Sequence, residues 1–311
     1  MSSLMRLKVK PVPSWQSYIV HPVLRVLVKR KLEKAFTPSE ARAAFGRHPP
    51  QPVRGVSFKA EKAGGVCGEW ARSPGSSAGV MLYLHGGGYF ACSPATHRPL
   101  TGGFAQYGFA VFAPAYRLAP EHPFPAAIDD ALACYRALLA AHGAERLVVA
   151  GDSAGGGLAL GTLLAAREAG LPMPARLVLF SPWTDLAATG ASIQANAARE
   201  SMLVGSRIQE VADLYLQGVD PQTPFASPLY GDLTGLPPTL IQVSDREILL
   251  DDSRRVAEKI NAAGGKVALS VWRNLPHAWQ ISQGFLPEAR QALAQAADFA
   301  RTALASEALP A

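Results

Sequence analysis

Leu147-Val148-Val149-Ala150-Gly151-Asp152-Ser153-Ala154-Gly155-Gly156 is the stretch that decides how this chain folds. A short apolar run ends in Gly-x-Ser-x-Gly, and a segment rich in Ala, Gly and Leu follows. Such an apolar run suits a strand buried on both faces of a sheet. A strand that turns sharply into a helix at a glycine-flanked serine presents the hydroxyl at the helix N-terminus. The small flanking residues let the backbone bend, so Ser153 is the candidate nucleophile.

The same strand-then-helix pattern repeats on both sides. Apolar runs at 80–84, 109–113, 177–180, 239–243 and 267–271 read as strands. Helical stretches are predicted near 97–107, 127–142, 155–169, 251–263 and 287–305. This alternation predicts an α/β protein with a mostly parallel sheet and helices on both faces. Two antiparallel strands at 53–58 and 66–71, joined by Gly64-Gly65, bring the expected number to eight. Between Pro182 and Pro237 no strand run occurs, and residues near 189–217 look helical. An insertion at the carboxyl end of a strand lies over the active-site face.

The first fifty residues are amphipathic. Trp15, Tyr18 and Ile19 share one helical face, and Pro22 suits the first turn of a second helix carrying Val23, Leu24, Leu27 and Val28. Thr37-Pro38-Ser39-Glu40 is a capping box that starts a further short helix. The expected organisation is a helical cap segment over 1–50 and a catalytic domain over 51–311. A second cap insertion is expected at about 186–225.

A nucleophilic serine needs an oxyanion site, a base and an orienting acid. Three consecutive glycines in His85-Gly86-Gly87-Gly88 follow the 80–84 strand. Glycines let a backbone approach a ligand closely. The N–H groups of Gly86, Gly87 and Ala154 are the expected oxyanion donors. The base is His277, in Asn274-Leu275-Pro276-His277-Ala278-Trp279 after the last strand. The other six histidines precede Ser153, and a nucleophile elbow of this kind runs in the order serine, acid, histidine. The acid must follow the 239–243 strand. Asp245, Glu247, Asp251 and Asp252 compete, and Asp251 and Asp252 suit the start of the next helix. Spacing does not separate Asp245 from Glu247. Asp152 is expected to make a supporting hydrogen bond, His85 to hold its loop, and Arg117 and Glu121 to pair as scaffold.

Longer motifs add a resemblance. They include His85-Gly86-Gly87-Gly88-Tyr89, Thr96-His97-Arg98, Tyr116-Arg117-Leu118-Ala119-Pro120-Glu121-His122-Pro123 and Gly151-Asp152-Ser153-Ala154-Gly155-Gly156. Ser181-Pro182-Trp183-Thr184-Asp185 and Ser227-Pro228-Leu229 continue the series. In these the chain resembles the hormone-sensitive-lipase-like esterases, bacterial lipolytic family IV of the α/β-hydrolase superfamily. The resemblance implies an α/β-hydrolase fold with a helical cap, and a carboxylesterase that cleaves short acyl esters (about C2–C8) through an acyl-enzyme. The family's acid usually lies in Asp-Pro-Leu-x-Asp. Here Glu247-Ile248-Leu249-Leu250-Asp251 occupies that place, so the resemblance selects Glu247. Lactone hydrolysis is the alternative activity, and a non-catalytic ligand-binding receptor a distant one. Tyr89, Phe90 and Tyr215 are candidate substrate contacts, beside the glycine loop and in the second cap. No metal or cofactor is expected. Relatives are often dimers, so a homodimer is a further expectation.

Composition excludes other classes. At 311 residues and 49% hydrophobic content, the chain can bury a large core and is not of a disordered type. Three cysteines, Cys67, Cys92 and Cys134, show no metal-ligand spacing and fit a reducing compartment, so a cytoplasmic location is expected. No opening apolar run resembles a secretory leader. Residues 1–54 hold eleven Lys and Arg against two Glu, a net +9, while the remainder of the +6 chain sums to −3. Nothing beside these charges resembles a nucleic-acid module. Between a solvated basic face and contact with an anionic membrane surface, a solvated face is the simpler expectation.

Overall fold

The computed structural model describes residues 5–6, 12–35, 37–45 and 53–305. Its strands are β1 (Met5–Arg6), β2 (Ser57–Ala63), β3 (Val66–Arg72), β4 (Gly79–Leu84) and β5 (Phe109–Pro114), followed by β6 (Leu147–Asp152), β7 (Arg176–Phe180), β8 (Thr239–Ser244) and β9 (Val267–Trp272). They form one sheet in the order β1-β9-β8-β7-β6-β4-β5-β3-β2. Only the β2–β3 and β3–β5 pairs are antiparallel. The eight expected strands are all present. The two-residue β1 adds a ninth, parallel to β9 at the far edge. The expected cap boundary near residue 50 lies outside the described residues.

Strands β4 and β6 to β8 are buried along most or all of their length because helices cover both faces. Successive residues alternate sides. Val149 packs with Leu84, Leu179 and Ile241 on one face, while Val148 and Ala150 pack with Tyr83, Phe180 and Leu240 on the other. Each of the buried Val, Leu, Ile and Phe side chains contributes about 1.5–3 kcal/mol relative to exposure. The first face carries α5 (Ala126–His142), α6 (Ala154–Glu168) and α9 (Leu250–Ala262). The second carries α4 (Arg98–Gln106) and α10 (Pro287–Ala305). The insertion contributes the one-turn α7 (Ser192–Ala195) and α8 (Ile208–Leu216), with the loop between them wound around the buried Glu200 carboxylate.

Two expectations are corrected. The strand expected at 53–58, β2, begins at Ser57, not Val53, because Val53 to Val56 close a turn (Val56 N–H to Val53 O, 3.2 Å) with Gly55 at φ +74°. Pro22 does not start a helix. It sits inside α1 (Trp15–Leu24), which runs on through a π-helical stretch, Arg25–Lys29, into α2 (Arg30–Lys34). Pro22 and Tyr18 are exposed, so water can satisfy the carbonyl that loses its N–H partner. The capping box is present at α3 (Pro38–Phe45): Thr37 N–H donates to Glu40 Oε2 (3.0 Å) and Glu40 N–H to Thr37 Oγ1 (3.2 Å).

Candidate active site

Five loops leave the same edge of the sheet, after β4, β6, β7, β8 and β9. The register aligns them: Leu84 pairs with Gly151, Asp152 with Phe180, and Ser244 with Trp272. Residues distant in sequence therefore meet at one rim.

Ser153 turns from β6 into α6 at φ +53°, ψ −125°, a strained conformation for a residue with a side chain. Its neighbours enforce the turn. Ser153 N–H donates to Phe180 O (2.9 Å), and Ser153 O accepts from Gly156 N–H (3.0 Å) and Trp183 N–H (2.9 Å). A Cβ at Gly155 would lie 2.0 Å from Leu84 O, so only glycine lets the elbow approach β4.

Glu247 and His277 meet. His277 Nδ1 lies 2.6 Å from Glu247 Oε2, and both side chains are buried. The other carboxylate oxygen, Oε1, accepts from Ser244 N–H (2.7 Å) and Ser181 Oγ (2.8 Å). Ser181 Oγ also accepts from Ala278 N–H at 3.3 Å, tying the acid's loop to the histidine's. Burial opposes charging of His277, but the Glu247 hydrogen bond and negative charge outweigh it and hold the imidazole above its ordinary pKa. Nε2 of His277 is buried with no partner among the described residues, free to take a proton. Asp245 does not join this pair. It accepts from Asn274 N–H (2.9 Å) and lies 3.8 Å from Arg199.

The glycine loop divides. Gly86 N–H donates to Asp152 Oδ1 (3.1 Å), so this amide is already engaged and is corrected as an oxyanion donor. Gly87 and Gly88 line the cavity beside Ser153, at φ +124° and +61°, and a Cβ on Gly87 would lie 2.1 Å from Ala91 O. Ala154 opens α6, where a first-turn N–H has no intrahelical acceptor. The expected supporting bond from Asp152 is part of a larger cluster: Tyr83 OH donates to Oδ1 (2.8 Å) and His97 Nε2 lies 3.3 Å from Oδ2. His85 holds its loop by stacking on Tyr116 with centroids 4.3 Å apart, while Tyr116 OH donates to His85 O (2.6 Å). Burial drops the His85 pKa to about 3, so its ring stays neutral.

A cavity of about 230 Å³ opens at Ser153. Gly87, Gly88, Phe90 and Trp183 line it from the sheet side, Leu32, Ala41 and Phe45 from the N-terminal arm, and Leu203, Ile208 and Val211 from the insertion. Of the three expected substrate contacts only Phe90 belongs to this lining. Tyr89 and Tyr215 are corrected: they stack face to face at 3.9 Å and 4°, both fully buried, and pin α8 to the glycine loop. The Arg117–Glu121 pair is also corrected. Arg117 is claimed by Asp130 on α5 (Nη2 to Oδ1, 2.8 Å), and Glu121 by Arg42 on α3 (Nη1 to Oε1, 2.8 Å). Arg42 reaches Phe90 O (2.6 Å) and Ala119 O (2.7 Å) as well, fastening the arm beside the cavity. Burial pushes the Cys92 thiol up to about 12, outside the nucleophilic range. Among the described residues no cluster of three His, Cys, Asp or Glu side chains is placed to hold a metal ion.

Comparison with known proteins agrees with this arrangement. Residues 81–281 match the family model described as alpha/beta hydrolase fold (Abhydrolase_3). An acetyl-hydrolase of Streptomyces hygroscopicus is 47% identical over 238 residues, covering 76% of this chain and 79% of its own. An esterase of Acinetobacter venetianus is 34% identical over 293 residues, 92% of this chain and 96% of its own. A crystal structure of an esterase from the bacterial hormone-sensitive lipase family superposes with a TM-score of 0.88 at 40% identity, covering 94% of this chain and 99% of the other. The chain belongs to the α/β-hydrolase fold family. Within it, the protein is a hormone-sensitive-lipase-like esterase, a member of a family of carboxylic ester hydrolases.

Proposed function

We propose that this esterase hydrolyses short-chain carboxylic esters through an acyl-enzyme on Ser153. The observation that carries the reading is the buried 2.6 Å contact between Glu247 and His277 at the rim that also holds the strained Ser153. His277 Nε2 takes the Ser153 proton as the hydroxyl attacks the carbonyl. The amides of Gly87, Gly88 and Ala154 face the oxyanion, Gly88 replacing the engaged Gly86. His277 returns the proton to the leaving alcohol, then activates the water that releases the acid. Glu247 fixes the imidazole tautomer with its proton on Nδ1. Leu32, Ala41 and Phe45 of the N-terminal cap segment and Leu203, Ile208 and Val211 of the second shape the acyl site over the catalytic body.

Cavity size supports a short acyl group. A cavity of about 150 Å³ holds benzene, so one of about 230 Å³ admits on the order of nine non-hydrogen atoms. A p-nitrophenyl ester series should give its highest kcat/KM within about C2–C8 and lose at least about tenfold by about C12. Lactones and anilides of matched size should turn over more slowly; a faster lactone would reassign the substrate class.

Ser181, which sequence reasoning left without a role, is a positioning residue in this scheme. Ser181→Ala removes one donor from Glu247 Oε1. The carboxylate becomes more basic and pulls the His277 pKa further up. The expected result is a fall in kcat of about tenfold with KM little changed. The acid limb of the rate profile should shift to higher pH, which a merely structural serine would not cause.

A further inference from the structure

We propose that the N-terminal rod, residues 15–34, docks this enzyme on an anionic lipid surface. The rod's polarity is inverted. Its inner side carries Ser17, Val20 and His21, all buried. Ser17 Oγ accepts from Asn274 Nδ2 (3.1 Å), and the His21 ring lies 2.9 Å from Ser201 Oγ. Val20 packs with Leu275 and Trp279 of the histidine loop. Its outer side carries Trp15, Tyr18, Ile19, Val23, Val26 and Leu27, each between 44% and 64% exposed. These positions recur at the spacing of one helical face. A water-facing helix puts its polar residues outward; here the large apolar side chains face out.

Charge selects the occupant. The exposed stripe continues along the same rod into Arg30, Lys31 and Lys34, with Glu33 the one acid among them. Apolar anchors followed by exposed cations fit a lipid surface that offers acyl chains below negative headgroups. Trp15 and Tyr18 are the side-chain types that settle at such an interface. A second copy of this chain fits less well. A two-fold contact pairs the apolar stripes but offers the exposed Arg30, Lys31 and Lys34 no acid from the partner rod beyond Glu33. Among the described residues no helix is long and apolar enough to cross a membrane, so the contact lies in the surface plane. Leu32 and α3 of the same arm also wall the cavity, so docking brings the cavity's own wall to the lipid.

The rod carries its own reporter. Trp15 is 64% exposed, whereas Trp70, Trp183, Trp272 and Trp279 are each 6% exposed or less. Vesicles of equal parts phosphatidylcholine and phosphatidylglycerol should shift the wild-type emission to the blue and carry the protein up in flotation. Phosphatidylcholine alone should do so at least about tenfold less. Val26→Asp with Leu27→Asp should lower the bound fraction at least about tenfold while ester turnover in solution stays unchanged. Arg30→Glu, Lys31→Glu and Lys34→Glu together should remove the preference for anionic vesicles. No emission shift and no flotation with wild type would overturn the proposal. So would aspartate variants that still bind, or a wild-type dimer that ignores vesicles and falls to monomer on Val26→Asp with Leu27→Asp. The outcomes that would overturn the proposal are read from binding and oligomeric state alone, so they stand apart from the esterase mechanism.

Discussion

Ser153→Ala should lower the turnover of p-nitrophenyl butyrate by roughly 10⁴-fold or more, with the fold intact. The loss is large because the nucleophile starts the covalent route, and the oxyanion amides alone recover only a small part of the rate. The stability change should stay within about 1 kcal/mol. Alanine keeps a Cβ at φ +53°, so it bears the same backbone strain, and the bonds at Ser153 N and O are unaffected. Steady-state kinetics beside a thermal unfolding curve would check both halves. Substantial activity in a folded variant would remove Ser153 from the mechanism.

Glu247→Gln should cost about 10²–10⁴ in kcat, while Asp245→Asn stays within about threefold of wild type. Glutamine offers either an amide NH₂ that clashes with the Nδ1 proton or a neutral oxygen that holds it weakly. His277 then loses both its preferred tautomer and the charge that raises its pKa. A base must be neutral to accept the Ser153 proton. In wild type the acid limb of kcat/KM should therefore lie above the ordinary imidazole value of 6.5. In the residual activity of Glu247→Gln it should move down. Asp245→Asn keeps an oxygen for Asn274 N–H and gives up only a long contact to Arg199 on a partly exposed surface. A larger loss at Asp245 than at Glu247 would exchange their roles.

Local pattern carried most of the fold. Strand runs, the Gly-x-Ser-x-Gly turn and the glycine loop each state their conformation within a few residues, and the elements formed close to where the pattern placed them. What escaped depended on direction. Asp245 and Glu247 share one short turn, and only the turn's geometry sends one carboxylate to His277 and the other to Asn274. The identity of Gly86 does not say that its N–H points at Asp152. Tyr89 and Tyr215 are 126 positions apart, and their stacking is invisible until α8 folds over the glycine loop. The Arg42–Glu121 pair is hidden for the same reason. Ser181 did carry a signal, since Ser181-Pro182-Trp183-Thr184-Asp185 was recognisable as a motif. Its hydroxyl needed the neighbouring loops before it had a purpose.

The cavity walls and the proposed proton-handling groups come from different parts of the chain. Residues 32–45 and 203–214 shape much of the space above Ser153, while Glu247 and His277 sit in the loops after β8 and β9, outside the lining. Descendants of this gene can accumulate changes in the first set without touching the second. New ester preferences are then reached through single, individually viable substitutions in the walls. Lineages should diverge fastest in appetite and slowest in chemistry.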